Sequence, residues 1–233
     1  MTLKVLGSES AGNCYLLESF FEILIIEAGI RLNDVKKALN YDLRKVAACL
    51  ITHSHGDHCK YADDYMKAGI DIYTSAETIE AASISGHRVH PIQANTIIRI
   101  GEFKVIPFPV PHGIPTLGFL INHPFFGSIL FVTDAAYISN KFNNLNHILI
   151  EANYEDAILT SDRAVGRHMS LDTCLGFLQA NDLRQVRNIV LLHLSCVNSN
   201  AQQFKKSVQP IAPNSSVWIA DKGLEVYLSK HPF

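Results

Sequence analysis

The segment Thr52-His53-Ser54-His55-Gly56-Asp57-His58 sets three imidazoles and a carboxylate within six positions, in the order His-x-His-x-Asp-His. It follows directly on the apolar run Val46-Ala47-Ala48-Cys49-Leu50-Ile51, so a strand that stops there delivers all four side chains into one turn. Alternation along such a chain lets His53 and His55 share one face while Asp57 and His58 swing toward another. Neutral imidazole and carboxylate are ligands that zinc and manganese accept, and this division suits two metal ions better than one. Two ions need more donors than these four. The chain repeats the same design three times: His112 follows a strand in Val110-Pro111-His112-Gly113, Asp134 ends Phe131-Val132-Thr133-Asp134, and His193 ends Val190-Leu191-Leu192-His193. One such residue alone is more often a hydrogen-bonded core group, but several at strand exits point together to metal.

The elements that must position these groups read as strands, helices, strands and helices in turn. Leu3 to Leu6, Cys14 to Ser19 and Glu22 to Glu27 form an opening meander, and Asn33 to Leu39 carries the i, i+3, i+4 pattern of a short helix. After the motif come helical stretches over Tyr61 to Ala68 and Ala76 to Ala82, with a short strand at Ile70 to Tyr73 between them. Strands return at Thr96 to Ile100, Phe103 to Pro107, Leu117 to Asn122, Ser128 to Thr133 and Ile148 to Ile150. A helix over Leu171 to Gln179, a strand over Asn188 to Leu192 and a helix over Ala201 to Val208 follow. Val217 to Ala220 and Leu224 to Leu228, joined through Asp221-Lys222-Gly223, predict a closing hairpin. The whole is an α/β chain with two packed sheets and helices on both outer faces, a single domain over residues 1–233.

Composition narrows the class. The 233 residues are 48% hydrophobic and 18% charged, enough for a sizeable core. A formal charge of −2 and a pI near 6.6 supply no global attraction for nucleic acid, so any such binding must rely on local Lys and Arg. Cys14, Cys49, Cys59, Cys174 and Cys196 are odd in number and contain no Cys-x-x-Cys pair, which predicts reduced thiols in a cytoplasmic protein. The first residues read as a strand rather than a signal segment, and no apolar run approaches a membrane span.

The ordered set of ligand motifs resembles the metallo-β-lactamase-fold superfamily over nearly the whole chain. The resemblance implies a four-layer αββα sandwich, with His53, His55 and His112 on one ion, Asp57, His58 and His193 on the other, and Asp134 bridging the two. The third motif is Val-Pro-His112-Gly rather than Pro-Gly-His-Thr, and Gly166-Arg167-His168-Met169-Ser170 precedes His193-Leu194-Ser195. These forms resemble the phosphodiesterase side of the superfamily. The likeness is closest to the WalJ (YycJ) group, through Gly7-Ser8-Glu9-Ser10-Ala11-Gly12-Asn13, Glu151-Ala152-Asn153 and His193-Leu194-Ser195 with Asn198. Glu27 stands where that group usually has Asp, and Glu9 where it has a small residue. The short spacings from His112 to Asp134 and from Asp134 to His193 leave no room for a tRNA-binding arm or an inserted nuclease domain.

The implied reaction is hydrolysis of a phosphodiester by hydroxide bridging two divalent ions, zinc or manganese, with Asp57 orienting it. In similar nucleases the histidine of the Gly-His-Ser motif moves protons, and the resemblance assigns that role to His168. Glu151 would hold the His168 tautomer; the competing reading makes it a buried carboxylate bonded to backbone amides. Arg163, Arg167, Ser195 and Asn198 flank these histidines and are candidate phosphate contacts. The substrate expectation is DNA, attacked by a 5′-exonuclease-like activity. The alternative is a cyclic nucleotide or cyclic ribose phosphate in a closed pocket, which a second subunit of a homodimer would complete.

Overall fold

The computed structural model describes residues 1–155 and 166–230. In chain order it contains β1 (Thr2–Glu9), β2 (Gly12–Glu18), β3 (Ile23–Ile26), α1 (Leu32–Ala38), β4 (Val46–Leu50), α2 (Gly56–Cys59) and α3 (Ala62–Lys67). There follow β5 (Ile72–Thr74), α4 (Ala76–Ala81), β6 (Val89–Pro91), β7 (Ile98–Ile100), β8 (Phe103–Val110), β9 (Thr116–His123), β10 (Gly127–Val132) and β11 (His147–Glu151). The last elements are α5 (Leu171–Ala180), β12 (Asn188–Leu192), α6 (Ala201–Val208), β13 (Ser216–Ile219) and β14 (Glu225–Tyr227). The chain divides into two compact units: Met1–Pro107 with Asp221–Tyr227, and Phe108–Ala220 with the residues from Leu228.

In the first unit seven strands run in the order β14-β1-β2-β3-β4-β5-β6. Pairing is antiparallel from β14 to β3 and parallel from β3 to β6. The change has a composition behind it, because every residue of Ile23–Ile26 is buried, as expected of a strand covered on both faces. Val35 of α1 and Ala62 and Tyr65 of α3 pack with Ile25, Cys49 and Ile72 to form this unit's core.

The second sheet runs β13-β12-β11-β10-β9-β8-β7, and β10, β11, β12 and β13 are parallel neighbours. Its core joins Phe177 and Leu178 of α5 and Phe204 and Val208 of α6 to Ile148, Ile150, Ile189 and Leu191. Ser170 opens α5 by accepting from Thr173 N, the side-chain cap a serine at this place supplies. Among the described residues no helix is long and apolar enough to cross a membrane.

One expectation is corrected. β13 and β14 do not form a hairpin: β13 pairs in parallel with β12, whereas β14 pairs antiparallel with β1. Gly223 N donates to Val5 O and Val5 N to Leu224 O, which tie the turn to β1. A Gly-containing turn signal marks where the chain reverses, but the partner of each strand depends on pairing far away in sequence.

Candidate functional site

In each unit the candidate groups leave the carboxyl ends of adjacent parallel strands, where open α/β sheets place their ligands. In the first unit Ile26 is in register with Leu50, so Glu27 follows β3 beside the point where Thr52 and His53 follow β4. In the second unit Val132 aligns with Ile150 and Glu151 with Leu192. Asp134, Glu151 and His193 therefore emerge side by side from β10, β11 and β12. Glu27 (φ 72), Asp134 (φ 50) and His193 (φ 52) are non-glycine residues in the left-handed region. Such conformations cost on the order of 1–3 kcal/mol each and cluster at functional positions.

The first unit gathers its candidate groups around Glu27, whose side chain is fully buried. Thr52 Oγ1 donates to Glu27 Oε1 over 2.6 Å, so its remaining lone pairs face His53 Nδ1 at 2.8 Å. His53 then carries its proton on Nδ1 and offers a lone pair at Nε2. His58 Nδ1 lies 3.3 Å from the same Glu27 oxygen, an ion-pair distance, while Asn13 Nδ2 faces its Nε2 at 3.1 Å. One carboxylate thus stands behind two imidazoles, as the partners of metal-bound histidines do. The ring of His53 lies 4.6 Å from that of His55 and 4.2 Å from that of His58.

α2 begins at Gly56 and converts the expected turn into a single helical turn. Asp57 Oδ2 is 3.2 Å from His58 Nε2, and Asn13 Nδ2 is 3.2 Å from Asp57 Oδ2 and 3.1 Å from His58 Nε2. Gly29 makes this closeness possible: a Cβ there would meet Asp57 O at 1.7 Å. Only glycine admits such a backbone approach.

The second unit is organised around Glu151, also fully buried. Its Oε1 accepts from His168 Nδ1 at 2.8 Å and from His193 Nδ1 at 3.2 Å. Its Oε2 accepts from Ala135 N at 2.9 Å and Met169 N at 3.2 Å. Burial alone would raise this carboxyl, but the hydrogen bonds and charge of His168 and His193 outweigh it and hold it below the usual carboxylate range. The ring nitrogens and carboxylates of Asp134, Glu151, His168 and His193 form one cluster in which the polar atoms lie within 4.8 Å of one another. His193 Nδ1 is 3.3 Å from Asp134 Oδ1, and His112 Nε2 is 3.6 Å from Asp134 Oδ2. His112 Nδ1 donates to Arg167 O at 2.6 Å, so it too presents a lone pair at Nε2. The His168 ring stands 5.5 Å from that of His112 and 5.4 Å from that of His193.

The other sequence candidates occupy the same ends of the sheet. Arg167 extends along Gly113, where a Cβ would come within 3.3 Å of its Nε. Ser195 Oγ accepts from Asn198 N at 3.2 Å and so stabilises the turn after His193. Arg163 lies outside the described residues. Asn153 was not singled out by sequence as a site-shaping group, yet its Nδ2 donates to His193 O at 2.7 Å. Asn13 meets α2 across 45 positions of chain, for which no local pattern exists. Glu27 did carry a readable signal, a charged residue straight after four apolar ones.

The donor set suits divalent cations. In the first unit His53, and in the second His112 and His193, have Nδ1 against an oxygen, which leaves Nε2 as a candidate ligand atom; Asp57 and Asp134 offer carboxylate oxygen in their respective units. His53 Nε2 and His55 Nδ1 are 2.9 Å apart. Two nitrogens bound at about 2.1 Å to one ion are separated by roughly 2.9–3.4 Å at bond angles of roughly 90–109°.

Residues 24–194 match the β-lactamase superfamily domain family. The exodeoxyribonuclease WalJ of Streptococcus pneumoniae serotype 2 is 26% identical over 173 residues, covering 68% of this chain and 64% of that protein. The chain thus spans somewhat under two thirds of that relative's length. The exodeoxyribonuclease YycJ of Bacillus anthracis is 22% identical over 232 residues, with 89% and 88% covered. The solved structure of YhfI from Bacillus subtilis, a metallo-β-lactamase fold protein, superposes with a TM-score of 0.77 at 16% identity, covering 97% of this chain and 98% of its own. The α/β fold expected from sequence is therefore that of the metallo-β-lactamase sandwich, and the chain belongs to the β-lactamase superfamily.

Proposed function

We propose that this protein is a metal-dependent hydrolase that cleaves phosphodiester bonds, and that its substrate is a DNA strand attacked in the manner of an exonuclease. In this reading His53, His55 and His112 would hold one divalent ion and Asp57, His58 and His193 a second, with Asp134 a donor available to both. Bound zinc or manganese ions would supply Lewis-acid charge to the phosphoryl oxygens and lower the pKa of water in the site.

The observation that carries the reading is His168 donating from Nδ1 to the buried Glu151 while its ring stands beside His112 and His193. Hydrolysis joins a water oxygen to phosphorus, breaks the P–O ester bond and leaves an alkoxide that needs a proton. His168 delivers that proton from Nε2, and Glu151 stabilises the charged imidazolium and fixes its orientation. Asp57 accepts a hydrogen bond from the attacking water and aligns it. Arg167 and Arg163 contact the phosphate with guanidinium groups, while Ser195 and Asn198 border it. The exodeoxyribonuclease relatives support DNA as the substrate.

The test offers manganese- or zinc-loaded protein bis-p-nitrophenyl phosphate, 5′-labelled DNA and a panel of cyclic nucleotides. Shortening of the DNA is expected, and His168→Ala should retain metal while losing turnover by about 10²- to 10⁴-fold. Activity on cyclic nucleotides alone would replace DNA with a small substrate, and no hydrolysis of any of the three would refute the phosphodiesterase reading.

A further inference from the structure

A hollow of about 530 Å³ opens in the first unit, lined by Arg31, Leu32, Asn33, Lys36, Tyr61 and Asp64, with Lys67 and Ala68 at its edge. Three cations face one carboxylate there, in a chain whose formal charge is −2. Lys60 adds a fourth cation beside it, with Nζ 5.5 Å from the centre of the Tyr61 ring. The nearby Asp34 is taken up by Lys37 at 3.6 Å. Arg31 and Tyr61 line the same hollow.

The hollow is tied to the ligand motif through backbone. Tyr61 follows His58 by three positions, and its N–H donates to Ala28 O; Ala28 N in turn donates to His58 O. Arg31 lies two residues beyond Gly29, whose backbone touches Asp57. Three residues of chain span at most about 10 Å, so Tyr61 lies within roughly three stacked nucleotides of ~3.4 Å from His58. A guanidinium, two ammonium groups and an aromatic ring are what non-sequence-specific single-strand sites combine.

We propose that this hollow is a docking subsite for the sugar-phosphate backbone of a single-stranded nucleic acid, with Arg31, Lys36 and Lys67 on its phosphates. The inference rests on the phosphodiesterase reading for its substrate class, but binding tests it without turnover. The probe is a fluorescein-labelled, cleavage-resistant phosphorothioate dT20, followed by anisotropy against the metal-loaded protein from 50 to 400 mM salt. In Arg31→Gln/Lys36→Gln/Lys67→Gln the slope of log K against log salt should become shallower by about 2, since each single-strand phosphate contact contributes roughly 0.7. Affinity at about 0.1 M salt should fall on the order of 10- to 100-fold. Lys205→Gln/Lys206→Gln/Lys222→Gln removes three charges elsewhere and should bind as the parent does.

An unchanged slope in the first triple variant, or an equal loss in both, would overturn the subsite. Loss of slope confined to the first variant upholds it even if the protein hydrolyses no phosphodiester, a result that would refute the enzymatic reading alone. Hydrolysis of DNA together with a parental slope in the first variant would leave the enzyme and remove the hollow.

Discussion

Glu151→Gln tests how the second half of the site is held. The substitution keeps volume and shape, but one end of the side chain changes from acceptor to donor. Ala135 N and Met169 N, at 2.9 and 3.2 Å, can only donate, so the new amide must turn its oxygen toward them. Its NH2 then faces His168 Nδ1 and His193 Nδ1, which lie 2.8 and 3.2 Å from the present carboxylate. To accept there, both rings must move their protons to Nε2. For His193 that is the atom proposed to bind metal, and a protonated nitrogen cannot. Loss of such an orienting partner lowers metal affinity about 10- to 100-fold, or roughly 1.4–2.7 kcal/mol. Zinc titration against a competing chelator would measure it, alongside turnover of bis-p-nitrophenyl phosphate and a melt to show that the variant folds. His168→Asn serves as the contrast, because it should lose turnover and keep metal. A folded Glu151→Gln protein with parental affinity and rate would refute the proposed control of tautomer by this carboxylate.

The same logic applies to Glu27→Gln, where His53 and His58 share one carboxylate oxygen through Thr52 and directly. It should weaken metal binding about 10- to 100-fold, and a parental chelator titration would count against it. Gly29→Ala forces a Cβ to within 1.7 Å of Asp57 O, so the loop or α2 must shift; destabilisation of about 1–3 kcal/mol is expected, seen as a lower denaturation midpoint. His147 supplies a pH dependence. Burial depresses its pKa to about 4, and its neutral ring donates from Nε2 to Phe126 O while accepting from Asn188 Nδ2. The unfolded chain takes up this proton near pH ~6.5, so the contribution is complete above that value and is lost as pH falls toward 4, by up to about 3 kcal/mol. The urea midpoint should fall less between pH 7 and 4.5 in His147→Gln than in the parent, and equal falls in the two proteins would refute the assignment.

Much of the fold was legible because strand exits and ligands coincide. The apolar runs before His53, Asp134 and His193 are β4, β10 and β12, and Asn188–Leu192 and Ala201–Val208 have the bounds that periodicity indicated. Local composition suffices there, since a strand buried on both faces must be apolar throughout and a polar residue at its end marks the exit. Pleat alternation ceases where α2 begins at Gly56, so alternation alone does not place Asp57 and His58. The hairpin failed for a related reason, as Asp221-Lys222-Gly223 specifies a reversal while β1 and β12 select the partners.

The sequence by itself determined the ligand types, their order and the superfamily they resemble, because these depend on side-chain chemistry and short spacing. Tertiary structure alone decided which nitrogen of each imidazole carries the proton, since this depends on partners such as Glu27 and Thr52, 25 positions apart, and Glu151 and His193, 42 apart. It also decided that Gly29 must yield space to Asp57 and that Arg31, Lys36 and Lys67 converge on one hollow. Such contacts form only when parallel strands bring distant chain ends side by side, and no local pattern encodes them.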